Sequence, residues 1–590
     1  EDGQGAALGL VDLGGVVDVG ATSQSIGSLD IAVEDGLGMT TAGSIELTSG
    51  SSVIASANEG ITGGAFKLDS GVKLTIENER GAGSVEGERD GADIVMQTGA
   101  SVVLAFGEEA DYGYFSNKLA GENGQYGTVQ IGDGENAAYV DLVNTANNFG
   151  VLHVAGKGHV RINGMDGTQT ALGGADVVID DNGVAILNGN GSWTLANAFN
   201  LSSGGELRLT AGTDGNGGYN TVNFSNVSTQ QIDKGGKVTL ADAVLYLDRG
   251  LNAANADVLA DAHLNLESNA SLNVGTVAQG DAGLELNSLT LAGGDIYFGG
   301  ILSVGADQAT LGHLTVNTLG DLNGTVHLTA SRGAGTGGSI VEESLLDAAA
   351  NGRYQSLIDV TGEEIKTEDL EGIGLVVTDE NGSGDVEIIS SIKDSDGVTV
   401  AEGAFGYGEK LVAGENGTSA GVNYTLQLIN LLNDRELEIS ESGGLDVRIT
   451  GEGSLLVSNE LELTNKTGEK NDYTGTTTVA DSGQLTAGAG ALGTSDSHTS
   501  ALNVSGNFTN AGNNVVDSFN LSGSALLNEG TTLTVTGAGK NAIAGGLSGL
   551  GSLDLAGGTT TVTSDADAMS GYSGAVALGK NATLDLGASG

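Results

Sequence analysis

Gly417-Thr418-Ser419-Ala420-Gly421 has the spacing of a G-x-S-x-G elbow, in which a strained strand-to-helix turn exposes a serine nucleophile. The elbow needs a helix after the serine, and no helical pattern follows Gly421. With 101 glycines in 590 residues, on the order of one such match arises by chance, so Ser419 is not assigned as a nucleophile. Gly333-Ala334-Gly335-Thr336-Gly337-Gly338 satisfies G-x-G-x-x-G, follows the triplet Val326–Leu328, precedes a short helical pattern at 340–350 and has Asp359 downstream. A dinucleotide site needs that context, but it also needs a doubly wound sheet. The flanking hundreds of residues lack alternating helices, so a glycine loop without cofactor is expected.

Three acidic groups, Asp180-Asp181, Asp394-Ser395-Asp396-Gly397 and Asp565-Ala566-Asp567, have the residue types for general acid and base in glycoside cleavage or for chelating Ca²⁺. Each lies beside Gly, Asn or Ser, which marks a turn where Asp belongs for backbone reasons. They are read as turn residues, with no catalytic and no metal residues assigned. His153, His159, His263, His313, His327 and His498 are scattered without metal-ligand spacing and are expected at the surface, His327 opposite to Val326 and Leu328. Trp193, Tyr246, Tyr297, Phe298 and Tyr407 have rings that could stack on sugars. Aromatics are only 4% of the chain, and no run of them marks a groove, so core or scattered surface positions are expected.

Composition narrows what can hold these residues. There is no proline and no cysteine. Roughly 30 prolines would be usual at a frequency of about 5%, and their absence points to a backbone whose N–H groups are nearly all committed to ladders. Without cysteine there is no disulfide framework, zinc finger, iron–sulfur cluster or Cys nucleophile. A net charge of −54, from 76 acidic and 22 basic residues, disfavours nucleic acid and anionic headgroups as partners. The chain is nonetheless 39% hydrophobic with a mean hydropathy of +0.01, which favours folding over disorder. No run of 18 apolar residues is present, so no helical membrane span is expected. Glu1 is not Met and no basic, apolar leader precedes it, so the segment is read as processed or excised.

Apolar–polar–apolar triplets recur between Gly, Asn, Asp and Ser: Val238-Thr239-Leu240, Leu245-Tyr246-Leu247, Leu264-Asn265-Leu266, Leu272-Asn273-Val274, Leu284-Glu285-Leu286 and Leu314-Thr315-Val316. This is the period-two pattern of short strands ended by tight turns. Related triplets return every 20 to 24 residues, as from Leu264 to Leu284 and from Leu272 to Ile296. The expected fold is all-β, a right-handed parallel β-helix with three sides. At ~4.8 Å per rung, about 25 rungs would make a rod on the order of 120 Å. Residues 1–330 are expected to form one β-helical stretch. Residues 331–435, with less Gly, more Glu and a short helix over 340–351, read as an irregular insert or cap-like segment. The helix is expected to continue over 436–590, where Leu502-Asn503-Val504, Leu533-Thr534-Val535 and Leu553-Asp554-Leu555 resume the rhythm.

Tyr473-Thr474-Gly475-Thr476-Thr477-Thr478-Val479, followed by Gly483-Gln484-Leu485 and Ala491-Leu492-Gly493, resembles the passenger-associated strand repeat of Gram-negative autotransporters. Tyr572-Ser573-Gly574-Ala575-Val576-Ala577-Leu578, followed by Asn581-Ala582-Thr583-Leu584, repeats the pattern. Arg353-Tyr354-Gln355-Ser356-Leu357-Ile358-Asp359, with Gly406-Tyr407-Gly408 and Asn423-Tyr424-Thr425-Leu426, resembles the segment that closes many passenger helices of the AIDA type, here in an internal position. The resemblance implies a passenger domain shown on the bacterial cell surface, anchored in the outer membrane through a C-terminal barrel not present here, or released. It implies adhesion, autoaggregation or biofilm formation as activities. The Gly-Asp-Ser-Gly signature that resembles serine-protease passengers is absent.

Two functions are therefore weighed. One is a structural rod, not an enzyme, that associates with its own copies on neighbouring cells through a polar face, with a glycan or host-surface ligand as a further candidate partner. The alternative is a carbohydrate-binding or carbohydrate-cleaving β-helix, which would need one localised carboxylate cluster. None stands above the background of 76 acids.

Overall fold

Alternating side chains make the strands. In Val151–Val154, Leu152 and Val154 are buried while Val151 and His153 are half-exposed, and Glu206–Thr210 and Thr476–Val479 repeat the pattern. This is the two-residue period of the pleat. The computed structural model describes residues 65–76, 93–165, 171–213, 218–224, 230–247, 259–275, 283–302, 311–330, 339–379, 388–464, 469–563 and 568–587, with short strands between 17 and 62. The protein is all-β with mainly parallel pairing. Its one α-helix among the described residues is Leu345–Asn351, too short to cross a membrane.

Parallel pairing proceeds in chain order. One sheet joins Ser101–Leu104, Thr128–Ile131, Val151–Val154, Asp176–Ile179 and Phe199–Leu201. A second joins Ala138–Leu142, Gly158–Asn163, Val184–Asn188, Glu206–Thr210, Lys237–Leu240 and His263–Glu267. Its inward residues form columns. Val140, Val160, Ala185, Leu207, Val238, Leu264 and Leu289 are register neighbours in turn, and all are fully buried or nearly so. Burying one such aliphatic side chain contributes about 1.5–3 kcal/mol, and the core runs as one cluster from Leu68 to Ala568. Leu264 stacks on Leu289 and not on Leu284, the triplet spacing notwithstanding. Leu284 opens the long strand Leu284–Phe298, and its parallel partner is Leu314.

The corners account for the missing proline. The amides of Lys157, Asn182, Gly204 and Gly235 each donate to the carbonyl of the next turn, at Asn182, Gly204, Gly235 and Asp261, over 3.0–3.4 Å. All four donors have positive φ, between 63° and 93°, which turns the N–H along the stack. Proline would fix φ near −65° and remove the donor.

Between 331 and 435 the pairing changes. Arg353–Val360 and Ile373–Asp379 still add in parallel to Leu314–Ala330. Antiparallel ladders then join Arg353–Val360 and Thr399–Tyr407 to Ser419–Leu431, and Ile388–Lys393 to Thr399–Tyr407. Ser419–Leu431 passes in parallel to Arg448–Gly451, after which parallel stacking continues to Val576–Asp585. The helix expected over 340–351 is shorter. Ser339–Val341 is a strand and Glu342–Ser344 a 3-10 turn, because Ile340 pairs with Ile392 before Leu345, Leu346 and Ala348 turn inward.

Candidate functional site

The structure brings two residues singled out by their motifs into one place. Ser419 opens a strand and no helix, and its Oγ lies 2.9 Å from the Tyr354 phenol. Asp359, the register partner of Ser419 on the antiparallel side, receives Ser356 Oγ at 2.8 Å and lies 2.9 Å from His313 Nε2. Tyr354 also bonds to Ser356. A serine nucleophile needs its base on the hydroxyl. Here Asp359 stands between Ser356 and His313, and Ser419 meets a phenol whose pKa burial pushes above its ordinary value. The arrangement is a hydrogen-bond relay tying three strands together.

The other candidates disperse. Asp394 accepts from the amides of Asp396 and Val398 at 3.0 and 2.8 Å, a turn role, and Asp180 lies 2.8 Å from His153. Asp565, Asp567 and the glycine loop 333–338 lie outside the described residues. No group of three or more His, Asp or Glu is placed to hold a metal among the described residues. Trp193 and Phe298 are core, Trp193 Nε1 donating to Thr210 O at 2.9 Å. Tyr297 is 40% exposed and stacks on His327 at 4.1 Å. The histidines are more engaged than their scatter suggested. His153, His313, His327 and His498 each face an aspartate, at 2.8, 2.9, 3.6 and 3.0 Å.

The richest constellation lies on the outer face of the second sheet. Arg161 forms a two-pronged ion pair with Asp141, 2.6 Å at each contact, and covers the Tyr112 ring at 4.5 Å. Tyr139 stacks on His159 at 4.3 Å and meets Tyr112 edge-on. Further along, Arg208 pairs with Glu267 and Glu206, Lys237 lies 3.5 Å from Glu206, and Thr239 donates to Glu206 at 2.6 Å. Asn163, Asn188 and Thr210 form a hydrogen-bonded ladder beside them. Burial holds both His159 and His263 below the ordinary histidine range, so they favour the neutral form at neutral pH. Sequence reasoning missed this face because its members stand on different strands of one sheet, far apart in the chain. The usable signal was the outward position of each strand, filled by Tyr139, His159, Val184, Glu206, Lys237 and His263 in turn, polar or aromatic at all but Val184.

The repeated Tyr-x-Gly motif is structural in both copies. A Cβ on Gly475 would meet the carbonyl of Gly453, and one on Gly574 the carbonyl of Gly551. Only glycine allows so close an approach of neighbouring backbones. Tyr473 is fully buried with its hydroxyl 2.7 Å from Thr477 Oγ1, and Tyr572 donates to Gly551 O at 2.8 Å. No family model matches the chain, and no curated protein matches its sequence.

Proposed function

We propose that the chain is a right-handed, three-sided parallel β-helix of the autotransporter-passenger kind, displayed on or released from a bacterial surface, and that it acts in adhesion and autoaggregation by associating with its own copies. The observation that supports this is the strand-by-strand parallel register, which sets outward side chains in columns such as Asn163–Asn188–Thr210. A surface of that kind offers many equivalent weak contacts, and avidity follows without a deep pocket.

Charge supplies the test. Two chains of −54 each repel, and salt shortens the Debye length to ~8 Å at 0.15 M. Cells displaying residues 1–590 are expected to aggregate more strongly as salt rises from low to moderate, and as pH falls toward the sequence pI of about 4.1. An adhesin for a basic ligand would respond to salt in the opposite direction. Absence of aggregation at every salt concentration, or aggregation abolished by salt, overturns the reading in favour of a host or matrix ligand.

A further inference from the structure

Acids outnumber bases by 76 to 22 over the whole chain, yet the outer face of the second sheet departs from that ratio. On the strands from Ala138–Leu142 to His263–Glu267, the outward charges are Asp141, Arg161, Glu206, Arg208, Lys237 and Glu267. Three are positive and three negative, and each is paired with another of the six. Arg161, Arg208 and Lys237 remain about one-third exposed. The contrast with Glu436–Ile439 and Glu460–Leu463, which point Glu436, Glu438, Glu460 and Glu462 outward, is one of sign as well as number.

We infer that this charge-balanced strip is the surface on which a second copy of the chain docks. The inference rests on the self-association proposed above and names the face that carries it. Two acidic chains approach with least repulsion where their facing surfaces are locally neutral, and mixed charges offer complementary partners to an identical surface. A closed pair built from one patch on each copy is the commonest symmetric solution. The Asn163–Asn188–Thr210 ladder supplies neutral hydrogen-bonding groups along the same strip.

The test uses the full chain in sedimentation velocity and in aggregation of displaying cells, with circular dichroism to confirm folding. R208E/K237E makes the strip acidic and E206K/E267K makes it basic. Each alone is expected to weaken self-association about tenfold or more, since like charges then face one another. An equimolar mixture of the two is expected to associate at least as well as the unaltered chain. K67E/K118E, which adds the same negative charge away from the strip, on and beside the strands of a different sheet, is expected to change association by less than about twofold. If the unaltered chain associates and both strip variants do so equally well, or if the mixture fails to recover, this face is excluded while self-association stands. If the unaltered chain does not associate at any salt concentration, the proposed function falls and the strip with it.

Discussion

Asn471→Ala removes a cross-link between three successive turns of chain. Asn471 is 2% exposed; its Oδ1 accepts the Ile449 amide at 2.8 Å and its Nδ2 donates to Ala491 O at 2.8 Å. Ile449 and Ala491 are fully buried, so water cannot replace either bond in the native state. Leaving a buried polar group unmet costs about 1–3 kcal/mol, so the two together give about 2–6 kcal/mol. The loss is read most directly near the site, because both bonds end on the segments around Ile449 and Ala491 and local openings differ in free energy along a structure. Hydrogen exchange resolved to peptides is the suitable assay. Those covering Ile449 and Leu492 are expected to exchange at least about thirtyfold faster, the equivalent of 2 kcal/mol. Asn459→Ala, which removes an exposed bond to Ser440 O, is expected to stay within about 0.5 kcal/mol of the parent. Asn471→Asp keeps the acceptor but buries a carboxylate that cannot donate to Ala491 unless protonated. Its folded pKa is therefore raised, and its stability deficit grows as pH rises above the ordinary carboxylate range. Exchange at Ile449 within twofold of the parent in Asn471→Ala would refute the reasoning.

Gly475→Ala is expected to destabilise the turns around it by about 1–3 kcal/mol, because a Cβ there meets the Gly453 carbonyl and the backbones must part; a melting curve indistinguishable from the parent contradicts that account. His159 is held below its ordinary value of 6.5 chiefly by burial, so its neutral form is the stable one, and native stability is lost as pH falls below about 6.5 toward the folded value. His159→Phe keeps a ring against Tyr139, and the gap in melting temperature between the two proteins is expected to shift in favour of the variant from about pH 7.5 to about pH 5.5. Burial pushes the Tyr473 phenol up to about 12, so the unfolded chain loses its proton first and stability falls between pH 10 and 12. Tyr473→Phe should unfold less readily in alkali relative to neutral pH, and an unchanged alkaline limb in the denaturation profile would count against burial as the cause.

What the sequence determined by itself is local. Leu264-Asn265-Leu266 and Leu502-Asn503-Val504 are legible as strands because the pleat has a period of two, and both lie in strands, His263–Glu267 and Ala501–Val504. The missing proline was legible as well, since the corner amides of Lys157, Asn182, Gly204 and Gly235 all donate. Tertiary structure decided which triplet stacks on which. Leu264 meets Leu289 because the connections between paired strands vary in length, and each added residue shifts every later partner. It also decided which polar groups meet. Ser419 and Asp359 lie in adjacent strands and His313 directly precedes a third, and their order across the sheet makes a relay instead of a triad. The balanced strip arose in the same way: Arg161 reaches Asp141 and Arg208 reaches Glu267 across strand pairings that no local pattern encodes. A period of two reveals the direction of a side chain within its own strand, whereas its neighbours across the sheet depend on the length of every turn between them.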